Sequence, residues 1–179
     1  MKGTSINSYA PDFELPGVDG GVHHLARYLE KFQVVGVVFL SNQSAHVQLY
    51  IDRLKQIQQD YQGQGVILVG INPNDIAQSP EDNFEEMKIF AASHGLNFPY
   101  VRDVTQDVAA SFGAELLPEA FLLDHQGVLR YRGQIDDSPE TPESVSTPYL
   151  RLAITQLLQN QSIDPVTTIP VGDPICWRR

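Results

Sequence analysis

Two short runs of apolar, mostly β-branched residues stand out along the chain, with a helical pattern between them. Residues 34–40 and 66–71 are apolar at nearly every position, which is typical of strands buried on both faces of a sheet. Between these runs, apolar residues recur at three- and four-residue steps from Val47 to Tyr61, and polar residues occupy the opposite face. The order strand, helix, strand predicts a right-handed βαβ unit.

Further elements are predicted in the second half of the chain. Ser79 and Pro80 indicate a helix start, with a capping serine and a proline at the first helical position, and Gly95 ends that helix. The other predicted elements are a short strand near residues 99–102, a short helix near 106–112, a hairpin of 120–123 and 128–131, and a last helix capped by Thr147 and Pro148. This order predicts an α/β fold of the thioredoxin type (βαβ, a helical insertion, then ββα), with a mixed central sheet and helices on both faces.

The chain has 179 residues, with 12 basic and 22 acidic side chains and a formal net charge of −10. This length predicts one domain, residues 1–162, followed by an extended tail, residues 163–179, that packs on it. The acidic surface repels phosphate backbones and anionic lipid headgroups, which argues against nucleic acid and membrane partners. The longest apolar run is too short to cross a bilayer, so we expect a cytoplasmic protein. The acidic residues 136–143 are interpreted as a solvated connection.

The sequence offers little support for metal, cofactor or hydrolase chemistry. Cys176 is the only cysteine, which excludes an internal disulfide and a multi-thiolate metal site. No His-x-x-x-His pair is present, and the adjacent His23 and His24 point apart in an extended chain, so neither a metal nor a cofactor is predicted. Ser44 and His46 stand two positions apart, and side chains at that spacing do not face each other on a helix. A serine hydrolase is therefore not indicated.

The junction between the first long strand and its helix is the most informative segment. A helix N-terminus offers free backbone N–H groups that stabilise an anion such as a thiolate. Here the chain resembles the thioredoxin-like redoxins of the alkyl hydroperoxide reductase and thiol-specific antioxidant superfamily, in the branch with the motif Phe-x-Cys-Asn-His-Cys-Pro-Tyr-Val-x-x-Tyr-x-x-Arg-Leu. The motif positions that this chain retains are Phe39, Asn42, Val47, Tyr50, Arg53 and Leu54. Residues 10–21, 117–124, 131–137 and 171–177 also resemble the family.

Both cysteines of the family motif are missing from this chain. Their positions hold Ser41 and Ser44, and a serine hydroxyl neither ionises at neutral pH nor forms a disulfide. Ser44 is instead well suited to cap the helix. Four further positions depart from the family pattern: Gln43, Ala45, His46 and Asp173. The resemblance implies thiol oxidoreductase or antioxidant activity, whereas this chain lacks the residues that perform it.

Three interpretations of these serines stay open. In the first, the chain is a non-catalytic thioredoxin-fold module that binds a protein or peptide partner. In the second, it is a thiol-disulfide oxidoreductase or peroxiredoxin-like antioxidant enzyme whose cysteines were changed experimentally; the four other departures argue against this, because removing thiols does not require them. In the third, Cys176 is a lone redox thiol. Its neighbours Ile175 and Trp177 instead predict a largely buried structural cysteine that reacts slowly.

The predicted binding groove consists of Asn42, Gln43, Leu117 and Pro118. The resemblance implies a cis peptide bond between Leu117 and Pro118, opposite the two serines. It also implies that the backbone of Leu117 faces the groove rather than a neighbouring strand, because in this family that backbone pairs with an extended client peptide. The alternative is that Pro118 only completes the core and that the tail around residues 173–177 fills the groove.

Overall fold

The structure is a computed structural model that describes residues 3–179, so the first two residues of the predicted domain lie outside the described residues. Its strands are β1 (Glu14–Pro16), β2 (Val22–His24), β3 (Val34–Phe39), β4 (Val66–Asn72), β5 (Tyr100–Arg102), β6 (Leu116–Leu117), β7 (Glu119–Asp124), β8 (Leu129–Gly133) and β9 (Asp173–Pro174). Its α-helices are α1 (Leu25–Lys31), α2 (Ala45–Tyr61), α3 (Phe84–His94), α4 (Asp107–Phe112) and α5 (Tyr149–Leu158). Three 3₁₀ turns cover Gln62–Gln64, Pro80–Asp82 and Pro142–Ser144.

The central sheet has five strands in the order β5-β4-β3-β7-β8. β3 pairs in parallel with β4, and β4 pairs in parallel with β5. β7 pairs antiparallel with both β3 and β8, as predicted for the hairpin. Every residue of β3 is buried, so both faces of the sheet are covered at its centre. The predicted mixed sheet of a thioredoxin-like α/β fold is confirmed.

Aromatic packing and an amphipathic helix account for much of the core. The rings of Phe39, Phe112 and Phe121 meet edge to face, with centroids 5.3–5.8 Å apart, and attach α4 to the sheet. The apolar stripe of α2 is buried as its spacing predicts. The Tyr61 hydroxyl lies 2.9 Å from the hydroxyl of Thr155, which joins the end of α2 to α5.

The predicted helix start at Ser79 and Pro80 is wrong. These residues open a single 3₁₀ turn, and α3 begins after Asn83, whose side chain accepts the backbone N–H of Glu86 at 2.9 Å. The Ser79 hydroxyl is unavailable as a cap because it donates to the buried carboxylate of Asp82 at 2.6 Å. The proline and the acidic residues therefore belong to a connection that supports the functional site.

The predicted cap of the last helix is also wrong. α5 begins after Pro148, and no side chain caps it, so Thr147 does not act as an N-cap. The backbone N–H of Leu150 instead donates to the carbonyl of Ile135 at 3.0 Å. The chain that leads out of the β7–β8 hairpin thus supplies an acceptor that a capping side chain otherwise provides.

The interpretation of residues 136–143 as a solvated connection is wrong at its first residue. Asp136 is buried, and its carboxylate accepts hydrogen bonds from the Tyr50 hydroxyl at 2.8 Å and from Arg53 Nη1 at 2.9 Å. Burial, followed by the hydrogen bond to Asp136, raises the pKa of Tyr50. Two retained motif residues on α2 therefore anchor the start of this loop to the domain.

The C-terminal segment returns across the domain towards the start of α2. Arg132 of β8 donates its backbone N–H to Val166, and Thr168 donates its own to Arg132, each at 3.1 Å. Farther along, β9 pairs antiparallel with β6. No helix among residues 3–179 combines the length and the apolar character needed to cross a membrane.

Candidate functional site

Residues 41–44 form the turn that connects β3 to α2, and both serines are buried in it. The Ser41 hydroxyl oxygen accepts the backbone N–H of Ser44 at 3.1 Å. The Ser44 hydroxyl oxygen accepts the backbone N–H of Val47 at 3.2 Å, so Ser44 caps α2 as predicted. At the two positions where the family has redox cysteines, this chain uses hydroxyl groups to stabilise the turn.

The buried carboxylate of Asp82 supports this turn from the protein interior. Its Oδ1 atom accepts from the backbone N–H of Asn42 at 2.7 Å and from Asn72 Nδ2 at 2.9 Å. Its Oδ2 atom accepts from Asn74 Nδ2 at 2.9 Å and from the Ser79 hydroxyl at 2.6 Å. Hydrogen bonds to a charged acceptor are stronger than those between neutral groups, so four donors make this a rigid support.

Asp82 supports the candidate site and was not predicted from the sequence. In the sequence it follows a serine and a proline, where an acidic residue is typical of the first turn of a helix. A usable signal is present in Asn72 and Asn74, because Asn72 ends β4 and Asn74 comes two residues later, at the edge of the sheet where β3 also ends. Polar residues after neighbouring parallel strands meet at one edge and require a common partner there.

The side chain of Asn42 points into the protein, on the same side of the turn as Asp82. Its Oδ1 atom accepts from the Tyr100 hydroxyl at 2.8 Å, and its Nδ2 atom donates to the Glu81 carbonyl at 2.8 Å. Burial raises the pKa of Tyr100 well above its usual value, so the hydroxyl keeps the proton that it donates. Asn42 therefore orients the turn from inside.

A cavity of about 270 Å³ lies on the outer side of the turn and contains two of the four predicted groove residues, Gln43 and Leu117. Its full lining is Ser41, Gln43, Ser44, Ala45, Asn74, Leu117, Asp173, Pro174 and Cys176. Asn42 and Pro118 are not part of that lining. This cavity and the β6 edge beside it form the groove.

The Leu117–Pro118 peptide bond is cis, as predicted. The expectation that the backbone of Leu117 faces an open groove is wrong, because Leu117 of β6 pairs with Asp173 of β9. The alternative, in which the tail fills this position, describes the structure. Gly172 allows the close approach: a Cβ atom on this residue would overlap the carbonyl oxygen of Leu117.

The Asp173 carboxylate lies at the N-terminus of α2. Its Oδ2 atom accepts from the Ser44 hydroxyl and from the backbone N–H of His46 at 3.4 Å, and its Oδ1 atom lies 3.2 Å from His46 Nδ1. Burial alone would raise the pKa of Asp173, but the hydrogen bonds from Ser44 and His46 outweigh it and lower this pKa below its usual value. The anion site expected at this helix start is occupied by the chain's own carboxylate.

The prediction that Cys176 is largely buried under Trp177 is wrong. Cys176 is partly exposed and lines the groove, while Trp177 is 38% exposed. The backbone of Cys176 explains this position, because its N–H donates to Asn74 Oδ1 and its carbonyl accepts from the Asp75 N–H, each at 2.9 Å. Burial, followed by the charges of Asp82 and Asp75, raises the pKa of the Cys176 thiol.

The histidines near the N-terminus lie away from the groove and bind other side chains. His23 hydrogen-bonds through Nδ1 to the Tyr28 hydroxyl and through Nε2 to Asp19 at 2.9 Å. His24 lies 3.2 Å from Glu14. Within residues 3–179, no group of three or more His, Cys, Asp or Glu side chains is arranged to hold a metal ion.

Comparison with known proteins tests the resemblance that this geometry supports. The sequence model described as the AhpC/TSA family matches residues 6–132 of this chain. The chain belongs to the AhpC/TSA family. A curated relative, the thiol-disulfide oxidoreductase ResA of Geobacillus thermodenitrificans, is 30% identical over 126 residues, which cover 70% of this chain and 67% of that protein. The redoxin family assignment made from the motif is thus confirmed.

Solved structures share this fold. A hypothetical protein from Sinorhizobium meliloti superimposes with a TM-score of 0.90 at 32% identity, covering 97% of this chain and 95% of that one. An uncharacterized conserved protein from Geobacillus kaustophilus gives a TM-score of 0.90 at 33% identity, with 97% and 93% covered. The peroxidoxin BcpB from Mycobacterium tuberculosis shares the fold, with a TM-score of 0.63 at 18% identity over 87% of this chain and 95% of that one.

Proposed function

We propose that this AhpC/TSA-family chain is a non-catalytic binding module whose groove takes an extended segment of a protein or peptide partner. The observation that carries the proposal is the combination found at residues 41–44 and β6. The serines in the redox positions are hydrogen-bonded into the turn, while the edge beside them accepts an extended strand. The fold keeps a place for a peptide and lacks the thiols for exchange.

The local hydrogen bonds also argue against a nucleophilic role for Ser44. A serine nucleophile needs a neighbouring base that takes its proton. Ser44 donates to Asp173, and the lowered pKa of Asp173 makes that carboxylate a weak base. His46 pairs with Asp173 through Nδ1 and not with the Ser44 hydroxyl. No group beside Ser44 is therefore suited to activate it.

Backbone pairing is the means of recognition that the groove offers to a partner. Main-chain hydrogen bonds along a strand edge give affinity for any extended segment, and neighbouring side chains set the specificity. The exposed residues Gln43 and Ala45 border that edge. In this proposal Asn42 and Pro118 support the groove from behind. The partner is a protein or peptide and not a nucleic acid, and the cytoplasmic location remains a prediction.

Selection of random nonapeptides displayed on phage, with the immobilised full-length protein as the target, tests the proposal. Ala45 lies exposed at the first position of α2, so Ala45→Trp fills the groove without disturbing the core. Ala92 is exposed on α3 and outside the groove, so Ala92→Trp is the matched control.

The proposal expects enriched peptides that bind the wild type and the Ala92→Trp variant equally and lose at least tenfold in affinity for Ala45→Trp. Circular dichroism and thermal melting establish that both variants are folded. Selection that yields no peptide on either the wild type or the Gly172→Ala variant, whose own C-terminal segment no longer fits against Leu117, would overturn the proposed function. Selection that yields only peptides with the same affinity for Ala45→Trp would overturn it too.

A further inference from the structure

The β6 edge of the groove is occupied by the protein's own C-terminal segment, which we call the tail strand (residues 172–177). The pairing is short: Leu116 lies opposite Pro174, and Leu117 lies opposite Asp173, in a two-stranded sheet separate from the central one. The tail strand therefore holds the position that the proposed function assigns to a partner segment.

The chain around the tail strand does not resemble a permanent part of the core. Ile169 is 85% exposed and Val171 is 44% exposed, so large apolar side chains leading into the strand face solvent. Only Ile175 buries an apolar side chain within the strand. Because little apolar surface is buried, backbone pairing and polar contacts hold the strand in place, and such contacts can be exchanged for equivalent ones from another chain.

Asp173 makes the most specific contact of the tail strand. Its carboxylate meets the Ser44 hydroxyl together with the backbone and ring nitrogens of His46, at the positive end of the α2 dipole. These donors favour a carboxylate over a neutral group, and the lowered pKa of Asp173 reports the same preference. An acidic side chain is the feature that this end of the groove selects.

The neighbouring residues define the rest of the recognised pattern. Before the aspartate, Gly172 fits only because it has no side chain at the carbonyl oxygen of Leu117. After it, Ile175 is buried and donates its N–H to the Glu115 carbonyl at 3.0 Å. The groove thus takes an extended segment with a glycine, then an acidic residue, then an apolar residue two positions later.

We propose that the tail strand is a built-in competitor for the groove, and that the partner that displaces it is an extended acidic segment with the pattern glycine, acidic, any residue, apolar. This inference rests on the proposed function and names the partner chemistry of that same site. A tethered segment acts at an effective concentration on the order of millimolar, so it keeps the affinity for a free peptide low until the tail is weakened.

The test uses a fluorescent synthetic peptide with the sequence of residues 170–177, in which serine replaces the cysteine. Fluorescence anisotropy measures its binding to the full-length protein and to the Gly172→Ala variant, whose own tail no longer fits against Leu117. Gly63→Ala is the matched control, because a Cβ at Gly63 meets no atom within 4 Å. A second peptide carries asparagine in place of the aspartate.

We expect the aspartate peptide to bind Gly172→Ala at least tenfold more tightly than the wild type or Gly63→Ala. The asparagine peptide should bind Gly172→Ala at least fivefold more weakly than the aspartate peptide. Equal binding to the wild type and Gly172→Ala, or equal binding of both peptides, would overturn the inference.

Asp173→Ala provides a second way to weaken the tail strand if Gly172→Ala does not fold. Asp164→Ala is its control, because Asp164 is an exposed aspartate outside the tail strand. The same gain of at least tenfold in peptide affinity is expected for Asp173→Ala alone, and the absence of that gain again overturns the inference. If phage-selected peptides bind Ala45→Trp more weakly than the wild type while the tail variants leave peptide affinity unchanged, the inference fails and the proposed function stands. If no selected peptide loses affinity for Ala45→Trp, the proposed function itself fails.

Discussion

Each side of the groove is stabilised by one carboxylate, and the two carboxylates differ in their exposure to solvent. On the inner side, Asp82 is fully buried and accepts hydrogen bonds from four groups, one of them the backbone N–H of Asn42. On the outer side, the side chain of Asp173 is 41% exposed and belongs to a strand of two residues. Both carboxylates stabilise the same turn, yet only the inner one is shielded from water.

This difference separates a permanent support from a replaceable one. A buried carboxylate with all its donors in place is costly to disturb, because each donor left without an acceptor carries a desolvation penalty. A half-exposed carboxylate can be replaced by water or by another carboxylate at small cost. The inner side therefore keeps the groove in shape, whereas the outer side can open.

The largest expected effect is that of Asp82→Ala on the inner side. This change leaves Asn42, Asn72, Asn74 and Ser79 without their buried acceptor, and we expect the free energy of unfolding to fall by about 3 kcal/mol. Urea denaturation measures the loss. Glu81→Ala, at the exposed neighbouring position, should change stability by less than about 0.5 kcal/mol. Equal losses in the two variants would show that Asp82 is no special support.

A selective effect on the outer side is expected from Gly172→Ala. Displacing the tail frees the N–H groups of Ile175 and Cys176 from Glu115 and Asn74, so their amide hydrogen exchange should accelerate at least tenfold. Protection of the Asn42 amide, which Asp82 holds, should stay unchanged. Hydrogen exchange followed by NMR reports all three amides in one sample. A parallel loss of protection at Asn42 would mean that the two sides are one unit.

A smaller, pH-dependent effect follows from the lowered pKa of Asp173. Because this pKa lies below the ordinary value of about 3.9 when the tail is docked, docking is favoured above that value and is weakened as the pH falls through the docked pKa. Protection of the Ile175 amide, corrected for intrinsic exchange, should therefore decline at acidic pH in the wild type. The Asp173→Asn variant should show no such decline between pH 5 and pH 3, and an identical decline would assign it to another group.

The smallest effect concerns Cys176, which lies where the two sides meet. Burial and the charges of Asp82 and Asp75 raise its pKa, so less thiolate is present at neutral pH than in an ordinary cysteine. Reaction with a thiol reagent at pH 7 should be severalfold slower than for cysteine in a short peptide and should accelerate as the pH is raised. Rapid stoichiometric modification at pH 7 would contradict this expectation.

Local patterns in the sequence predict most of the fold, because each is contained within one element. The apolar run at residues 34–40 predicts β3, and the spacing from Val47 to Tyr61 predicts the buried face of α2. The short strands β1 and β2 and the helix α1 were not predicted, since three-residue strands carry too little periodicity to be recognised. Short elements depend on contacts with the rest of the domain rather than on their own pattern.

Polar partners explain why the site was only partly predicted. The serine positions and the cis Leu117–Pro118 bond follow from the family motif. Asp82 was missed because its partner Asn42 lies 40 residues away, a separation that no local pattern records. The docking of Asp173 on Leu117 likewise depends on where the folded chain carries the tail. Hydrogen bonds between distant segments become visible only in the structure.

An assay for thiol chemistry is the most direct test of the proposed non-catalytic role, because residues 41–44 hold no cysteine. Steady-state reduction of insulin disulfides by dithiothreitol and turnover of hydrogen peroxide are measured with the wild-type chain and with Cys176→Ser, beside an active thioredoxin and an active peroxiredoxin. Because neither Ser41 nor Ser44 can form a disulfide, we expect both chains to give rates no higher than reagents alone. Turnover above that background that persists in Cys176→Ser would contradict the account.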